Sequence, residues 1–456
     1  MGKQSLSKDL QSRHLITMSL GGVIGTGIFM STGYSIQFAG PIGTIIAYVI
    51  GSLLVCMVMA CLGELSVHNP STGAFHTYAS KYISPAMGFV VAWMYWLTWT
   101  IALGSEFIAL STIIKQYVNF IPVWGYSLIF AIVILLLNMI NMNLFAKSEF
   151  YMSLIKVIAL AIFLTISILI IFKIIPFHHQ NFTPFFGQLF KNGILPNGIS
   201  PVISIILSAN FAFSGTEMIA VGAGESKDPK KSVPKAIRKT LITLVILFIG
   251  TIIALGSILP QSSSSLSQSP FVTVLQSINI PYASDIMNII LFITIFSGAN
   301  SGIYAASRMI WSLAEKQTLP KKLSKLSKNG IPIYGLGLTI LGGFLSLFSS
   351  IYAPNTVYLA LTAISAFAVV VVWLIIGWSQ LNFRKQFIKN GHSINELSYK
   401  TPLYPLMPWL VIIICLLSLI GITFDPNQRI AIIIGVPFSV ICYGSYKIFY
   451  SRKDVE

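Results

Sequence analysis

The residues best placed to do chemistry are two interruptions in long apolar runs. The first reads Gly21-Gly22-Val23-Ile24-Gly25-Thr26-Gly27-Ile28-Phe29, and the second reads Phe211-Ala212-Phe213-Ser214-Gly215-Thr216-Glu217. Backbone in hydrocarbon cannot leave hydrogen bonds unmade unless the freed groups line a cavity. Paired breaks in the two halves of a chain point to a substrate site near the middle of a membrane. At the first break, Gly25, Thr26 and Gly27 let the backbone leave helical dihedrals without a Cβ penalty. The half-helix resuming near Ile28 would offer free N–H groups and a positive dipole end, suited to a carboxylate. Carbonyls around Gly22 and Val23 would suit an ammonium group, and an amino acid carries both groups on one carbon. The plainer alternative is tight helix packing, because Gly21 and Gly25 also satisfy small-xxx-small spacing.

Ser214-Gly215-Thr216-Glu217 repeats this logic. A carboxylate at mid-membrane costs about 2.5–3.5 kcal/mol, so Glu217 requires a reason. It could brace the broken backbone by capping freed N–H groups, carry a proton, or face a cationic substrate. Glu106 is a second deep acid, with no basic residue within a helical turn of it. Its partner must come from another helix or from a ligand. Lys156 is the basic residue in the middle of a span, in Ser153-Leu154-Ile155-Lys156. Removal from water disfavours its charged form, so it could alternate between two protonation states as a proton switch. A static ion pair with Glu106 or Glu217, or snorkelling to an interface, is the alternative. Ser297-Gly298-Ala299-Asn300-Ser301-Gly302 reads as interhelical glue, and Trp93, Tyr95, Trp96 and Trp99 as packing or belt aromatics, some of which could wall a pocket. The charges of Gly224-Glu225-Ser226-Lys227-Asp228-Pro229 are either solvated or in gating contact with another inner loop, such as Glu64 to Lys81.

The elements that must position these groups follow from composition. The 456 residues are 55% hydrophobic and 9% charged, whereas soluble domains carry about 25% charged residues. An all-α polytopic membrane protein follows, immersed in a lipid bilayer. Twelve runs are long enough to span it, near 16–36, 42–63, 86–112, 122–142, 149–172, 200–222, 237–259, 283–309, 333–351, 357–380, 407–424 and 429–450. Pro260-Gln261-Ser262-Ser263-Ser264-Ser265 and the stretch from Phe177 to Asn197 are loops. The net charge of +16 invites a nucleic-acid reading, but its distribution follows the positive-inside rule. With an inside N-terminus, Lys3, Lys8, Arg13, Lys81, Lys147, Lys227, Lys230, Lys231, Arg308, Lys316, Lys328, Arg384, Lys447, Arg452 and Lys453 fall on the cytoplasmic side. Lys115, Lys173, Lys191 and Arg429 remain opposite. Both termini are therefore expected in the cytoplasm, the first apolar run is read as a span rather than a cleaved signal, and no nucleic-acid partner is expected. Cys56, Cys61, Cys415 and Cys442 all lie in membrane runs as packing residues, and neither a metal site nor a cofactor is expected.

Spans 1 and 6 carry the breaks. Five spans separate them, so the second block of five would be inverted relative to the first, with the site at the repeat interface. One transmembrane domain over 1–456 is expected, with repeats over about 16–172 and 200–380 and two extra helices over about 407–450.

The first break, followed by Ala39-Gly40-Pro41, resembles the opening of amino acid permeases of the amino acid–polyamine–organocation superfamily. The second break resembles their helix 6, and Ala223-Gly224-Glu225-Ser226 with Pro229 its exit. Gly63-Glu64-Leu65, Pro70, Gly73 with Tyr78, and Ala306-Ser307-Arg308 also match. The resemblance implies a LeuT-like fold of 12 transmembrane helices, a 5+5 inverted repeat plus two, with helices 1 and 6 unwound. It implies uptake of an amino acid driven by protons across the plasma membrane. It would set the substrate carboxylate on the Gly25, Thr26 and Gly27 amides and its amino group on carbonyls near Val23, Phe211 and Ser214, with Gly215 in the same break. Lys156 matches the lysine of proton-coupled members near their vacated sodium position. The second break looks most like permeases for lysine and arginine, with Glu106 and Glu217 as readers of a cationic side chain or braces of the site. An exchanger, a broad-specificity or neutral amino acid permease, and a sensor that binds without transport are the alternatives. No nucleophile–base pair supports an enzyme.

Overall fold

Apolar runs of this length satisfy their backbone internally only as helices, and the computed structural model is built of helices joined by loops over its described residues, 10–140, 142–178, 182–261, 268–327 and 329–450. At 140 and 142–146 it describes backbone alone. The helices are α1 (Ser12–Val23), α2 (Thr26–Phe29), α3 (Ser31–His68), α4 (Ala74–Tyr82), α5 (Pro85–Lys115), α6 (Val123–Ile140), α7 (Met142–Ile171), α8 (Gly187–Phe190), α9 (Ile199–Phe213) and α10 (Met218–Ala223). They continue with α11 (Pro229–Ile258), α12 (Pro270–Gln276), α13 (Ala283–Glu315), α14 (Ile333–Ile340), α15 (Pro354–Lys389), α16 (Leu406–Gly421) and α17 (Ile430–Phe449). Counting unbroken stretches and the joined pair Ile199–Ala223, ten are long and apolar enough to cross a membrane, and Val123–Met139 is a shorter apolar helix.

The first apolar run is divided among α1, α2 and the start of α3. Spans 1 and 2 then share α3, bent at Gly40, whose φ of +76° lies in the region that favours glycine, ahead of Pro41. The 333–351 run ends in a 3-10 stretch, Leu341–Ser350. There Gly342 sits on the Thr100 carbonyl and Gly343 on the Phe107 ring, so this tightened turn lies directly against α5.

Burial ranks the helices. In the most apolar window of α5, 89% of residues are buried, against 17% for α17 and 33% for α16. The helix bearing Glu106 is thus central, and the last two are peripheral. Hydrogen bonds sort the connections between the two ends of the bundle. Leu10 pairs with Glu225 and Lys227, Lys316 bonds Thr77, and Asn382 bonds Tyr82 at one end. Asn197 bonds Phe38, Tyr34 bonds Asp425, and Tyr117 bonds Asp285 at the other. The first end carries Lys81, Lys227 and Lys316, and the second carries Lys115 and Arg429. Lys3, Lys8, Lys328, Arg452, Lys453 and the Ser262–Ser265 part of the serine loop lie outside the described residues.

Candidate functional site

The two breaks touch. α1 ends where the Ile24 amide bonds the Leu20 carbonyl, and α2 begins at Thr26, two residues before the expected Ile28. α9 ends at Phe213, and Gly215 turns the chain with φ +106° before α10. A Cβ on Gly215 would lie 2.9 Å from the Gly22 carbonyl carbon and 3.1 Å from the Val23 nitrogen. The Ser19 hydroxyl of α1 donates to the Gly215 carbonyl at 3.4 Å. Gly215, Val23 and Ser214 are thereby brought together, while Phe211 receives the Ser214 amide at 3.0 Å.

The glycines of the first break serve a purpose other than the expected one. Gly25 has φ −147°, which any residue adopts, and Gly27 lies inside α2. A Cβ on Gly27 would lie 2.6 Å from Ala212 Cα, so Gly27 lets α2 cross α9 closely. Tight packing is thus the reason for glycine there, and dihedral freedom is the reason at Gly215. The amides of Thr26, Gly27 and Ile28 form the first turn of α2, where no intrahelical acceptor exists for them. Tyr358 of α15 and Tyr48 of α3 point their hydroxyls at the Thr26 and Gly27 carbonyls, at 3.4 and 3.5 Å.

The buried ionisable groups gather on this junction. Glu106 Oε1 accepts the Thr26 hydroxyl at 2.9 Å, and its Oε2 has no hydrogen-bond partner among the described residues. The carboxylate also lies beside Gly25 and Gly298. Glu217 braces the second break. Its Oε1 accepts the Gly215 amide at 2.9 Å, and its Oε2 accepts the Trp373 indole N–H at 3.3 Å and the Thr216 hydroxyl at 3.4 Å. Both oxygens are occupied, which is the capping alternative for this residue. Lys156, fully buried, donates to the Gly21 carbonyl at 2.5 Å. That carbonyl is one that the end of α1 leaves free. The acids whose fields reach Lys156 are Glu149 and Glu106; Glu217 is not among them. A cavity of about 10 Å3, room for about one water, lies between Ser31, Tyr34, Phe211 and Thr362.

Past the second break, a buried ion pair links the exit of α10 to α13. Glu225 pairs with Arg308 of α13 at 3.0 Å, Tyr304 donates to the same carboxylate oxygen at 3.2 Å, and Arg308 lies 3.5 Å over the Tyr304 ring. Gly224 packs on the backbone of Ser71 and Thr72. The loop over Glu64 to Lys81 does meet the exit of α10, but through backbone, while Glu225 finds its charge partner on α13. Glu64 pairs instead with Arg384 and accepts from Gln380.

Sequence reasoning missed Glu149, Trp373, Tyr358 and Tyr48. Glu149 sat at the margin of the 149–172 run, where a charge needs no explanation. Its spacing with Ser153 and Lys156, all on one helical face, was the available signal. Single aromatics in apolar runs carry no such signal. Of the expected pocket aromatics, Trp96 donates to Thr339 at 3.2 Å, Tyr95 packs on Phe75, and Trp99 covers Gly302.

The amino acid permease family model matches residues 14–456. A Bacillus subtilis (strain 168) permease named for histidine is 44% identical over 97% of this chain and 94% of its own length. The amino-acid permease RocE of the same organism is 39% identical over 98% of this chain and 96% of its own. The lysine-specific permease LysP of Escherichia coli (strain K12) is 32% identical over 99% and 95%. Among solved structures, a manganese transporter from Eremococcus coleocola superposes with TM-score 0.59 at 14% identity, covering 97% of each chain, which shows the shared fold. These relatives are transporters rather than enzymes, and this chain belongs to the amino acid permease family.

Proposed function

We propose that this protein is a proton-coupled importer of a basic amino acid, working by alternating access in the plasma membrane with both termini in the cytoplasm. The observation that carries this reading is the contact of Gly215 with Gly22 and Val23, which makes one junction of two breaks five spans apart. Twelve spans in two inverted repeats, over about 16–172 and 200–380, with two further helices over about 407–450, account for that meeting. The Gly25, Thr26 and Gly27 amides hold the substrate carboxylate, and the Val23, Phe211 and Ser214 carbonyls hold its ammonium group. Glu106 reads the cationic side chain with the oxygen that Thr26 leaves free. Glu217 keeps the second break open through the Gly215 amide and Trp373. Lys156 carries the coupled proton, and its grip on the Gly21 carbonyl ties that proton to the position of α1. Relatives named for lysine and histidine favour a basic substrate.

Uptake into proteoliposomes tests the reading. Labelled lysine, arginine and histidine are supplied with and without an inward proton gradient, and all twenty amino acids serve as competitors. Gradient-stimulated uptake, competed best by basic amino acids, is expected. Uptake indifferent to the gradient refutes the coupling, and competition led by neutral amino acids refutes the substrate class. Lys156→Gln is expected to abolish accumulation against a gradient.

A further inference from the structure

One further ionisable side chain is fully buried against the first break. Glu149 stands seven residues before Lys156 on α7, so the two share a face of that helix. Both act on one residue of α1. Lys156 Nζ holds the Gly21 carbonyl, and the Glu149 carboxylate packs on Gly21 Cα so closely that a Cβ there would overlap it. From α13, the Ser297 hydroxyl donates to Glu149 Oε1, while Oε2 has no hydrogen-bond partner among the described residues. Three helices, α1, α7 and α13, therefore meet at this carboxylate. The charged groups facing it are Lys156 on α7 and, beyond Lys156, Glu106 on α5. α13 presents Ser297, Asn300 and Ser301, and α1 presents Gly21; none of these titrates.

A buried carboxylate without a compensating charge costs several kcal/mol. Lys156 supplies that compensation, so it cannot lose its proton to bulk water without stranding Glu149. Transfer between the two avoids this, because it leaves both groups neutral. Resting on the proton coupling proposed above, we infer that Glu149 is the proton partner of Lys156. Nζ and the carboxylate both contact Gly21 but are not paired with each other, so a bridging water carries the proton: one N–H bond of the ammonium breaks with its electron pair left on Nζ, the water accepts that proton and gives up one of its own, and an O–H bond forms on Glu149. The resulting amine is a weaker donor than the ammonium, since charge-assisted hydrogen bonds are about twice as strong as neutral ones. Its hold on Gly21 slackens, and α1 is freed to move relative to α7. The proton then leaves from Glu149.

The test compares two activities of each variant in proteoliposomes: accumulation driven by a proton gradient, and counterflow exchange of labelled substrate. Their ratio corrects for the amount of folded protein. Glu149→Gln keeps the shape and an acceptor for Ser297 but takes no proton, and its ratio is expected to fall about fivefold or more. A smaller fall overturns the inference, because about fivefold is the lower end of a working coupling free energy. Glu149→Asp retains a titratable carboxylate, and the pH midpoint of accumulation is expected to move; an unmoved midpoint overturns the inference. Should Glu149→Gln fail to reach the membrane, Ser297→Ala decides in its place, with the same expected shift of the pH midpoint and the same overturning result. A wild-type protein without gradient-driven accumulation removes the proton-coupling reading itself, which is a separate failure.

Discussion

Gly215→Ala is the substitution most sharply dictated by the geometry. At φ +106° an L side chain is strained by about 1–3 kcal/mol. The new methyl group would also stand 2.9 Å from the Gly22 carbonyl carbon and 3.2 Å from its oxygen, atoms of another backbone that cannot rotate away. Overpacking of this kind adds about 1–3 kcal/mol. The variant relieves both by drawing the two breaks apart, and substrate binding must reverse that displacement. Even about 2 kcal/mol of such work weakens affinity about 30-fold. Gly193→Ala is the control. Its φ of +86° imposes similar strain, but nothing lies within 4 Å of the added methyl group and Gly193 sits in an exposed loop. Equilibrium binding of the amino acid that gives the highest wild-type uptake, measured on purified protein beside a thermal melt, separates the two. Gly193→Ala is expected to lower the melting temperature and leave Kd unchanged, while Gly215→Ala raises Kd. Equal Kd values for Gly215→Ala and wild type, or equal losses for both variants, refute the reasoning.

Other substitutions test other parts of the account. Arg308→Ala leaves Glu225 buried with the Tyr304 hydroxyl but without its charge partner, which costs about 3–5 kcal/mol, read as a lower melting temperature in detergent; an unchanged melting temperature refutes the pairing. Glu217→Gln turns an amide N–H2 toward the Trp373 indole N–H or the Gly215 amide, leaving a buried donor unpaired at about 1–3 kcal/mol, read as a lower melting temperature in detergent. His76, on α4 outside the spans, is pushed down to about 3 by burial and by the charge of Lys316, with its Nδ1–H on the Gly88 carbonyl. The unfolded chain binds this proton below about pH 6.5 and the folded chain does not, so stability falls by about 1 kcal/mol from pH 6 to pH 5. His76→Gln should flatten that part of the pH–melting curve, and an unchanged slope refutes the assignment.

Much of the fold was legible because a membrane leaves the backbone few choices. The apolar runs became helices, and glycine clusters in runs 1 and 6 became the breaks. That the breaks touch was legible only through parity, since an offset of five runs would invert the second block relative to the first. The purpose of individual residues was less legible. Gly25 and Gly27 read as hinge residues, yet a Cβ at Gly27 is excluded by Ala212, a residue distant in sequence. Glu217 read as a candidate for substrate, and its two oxygens are spent on Gly215, Thr216 and Trp373. Glu149 escaped notice because hydropathy sets span edges at charges, and a buried charge near an edge looks like the edge itself. Partners on other helices, such as Arg384 for Glu64, leave no trace in local spacing.

The account stands most directly on where an amino acid binds. A structure determined with bound lysine should place its carboxylate within hydrogen-bond distance of the Gly25, Thr26 and Gly27 amides and its ammonium on the carbonyls of Val23 and Phe211. Lysine bound elsewhere, for example in the cavity of about 330 Å3 between His68, Lys81 and Phe387, with the junction of the two breaks unchanged, would contradict it.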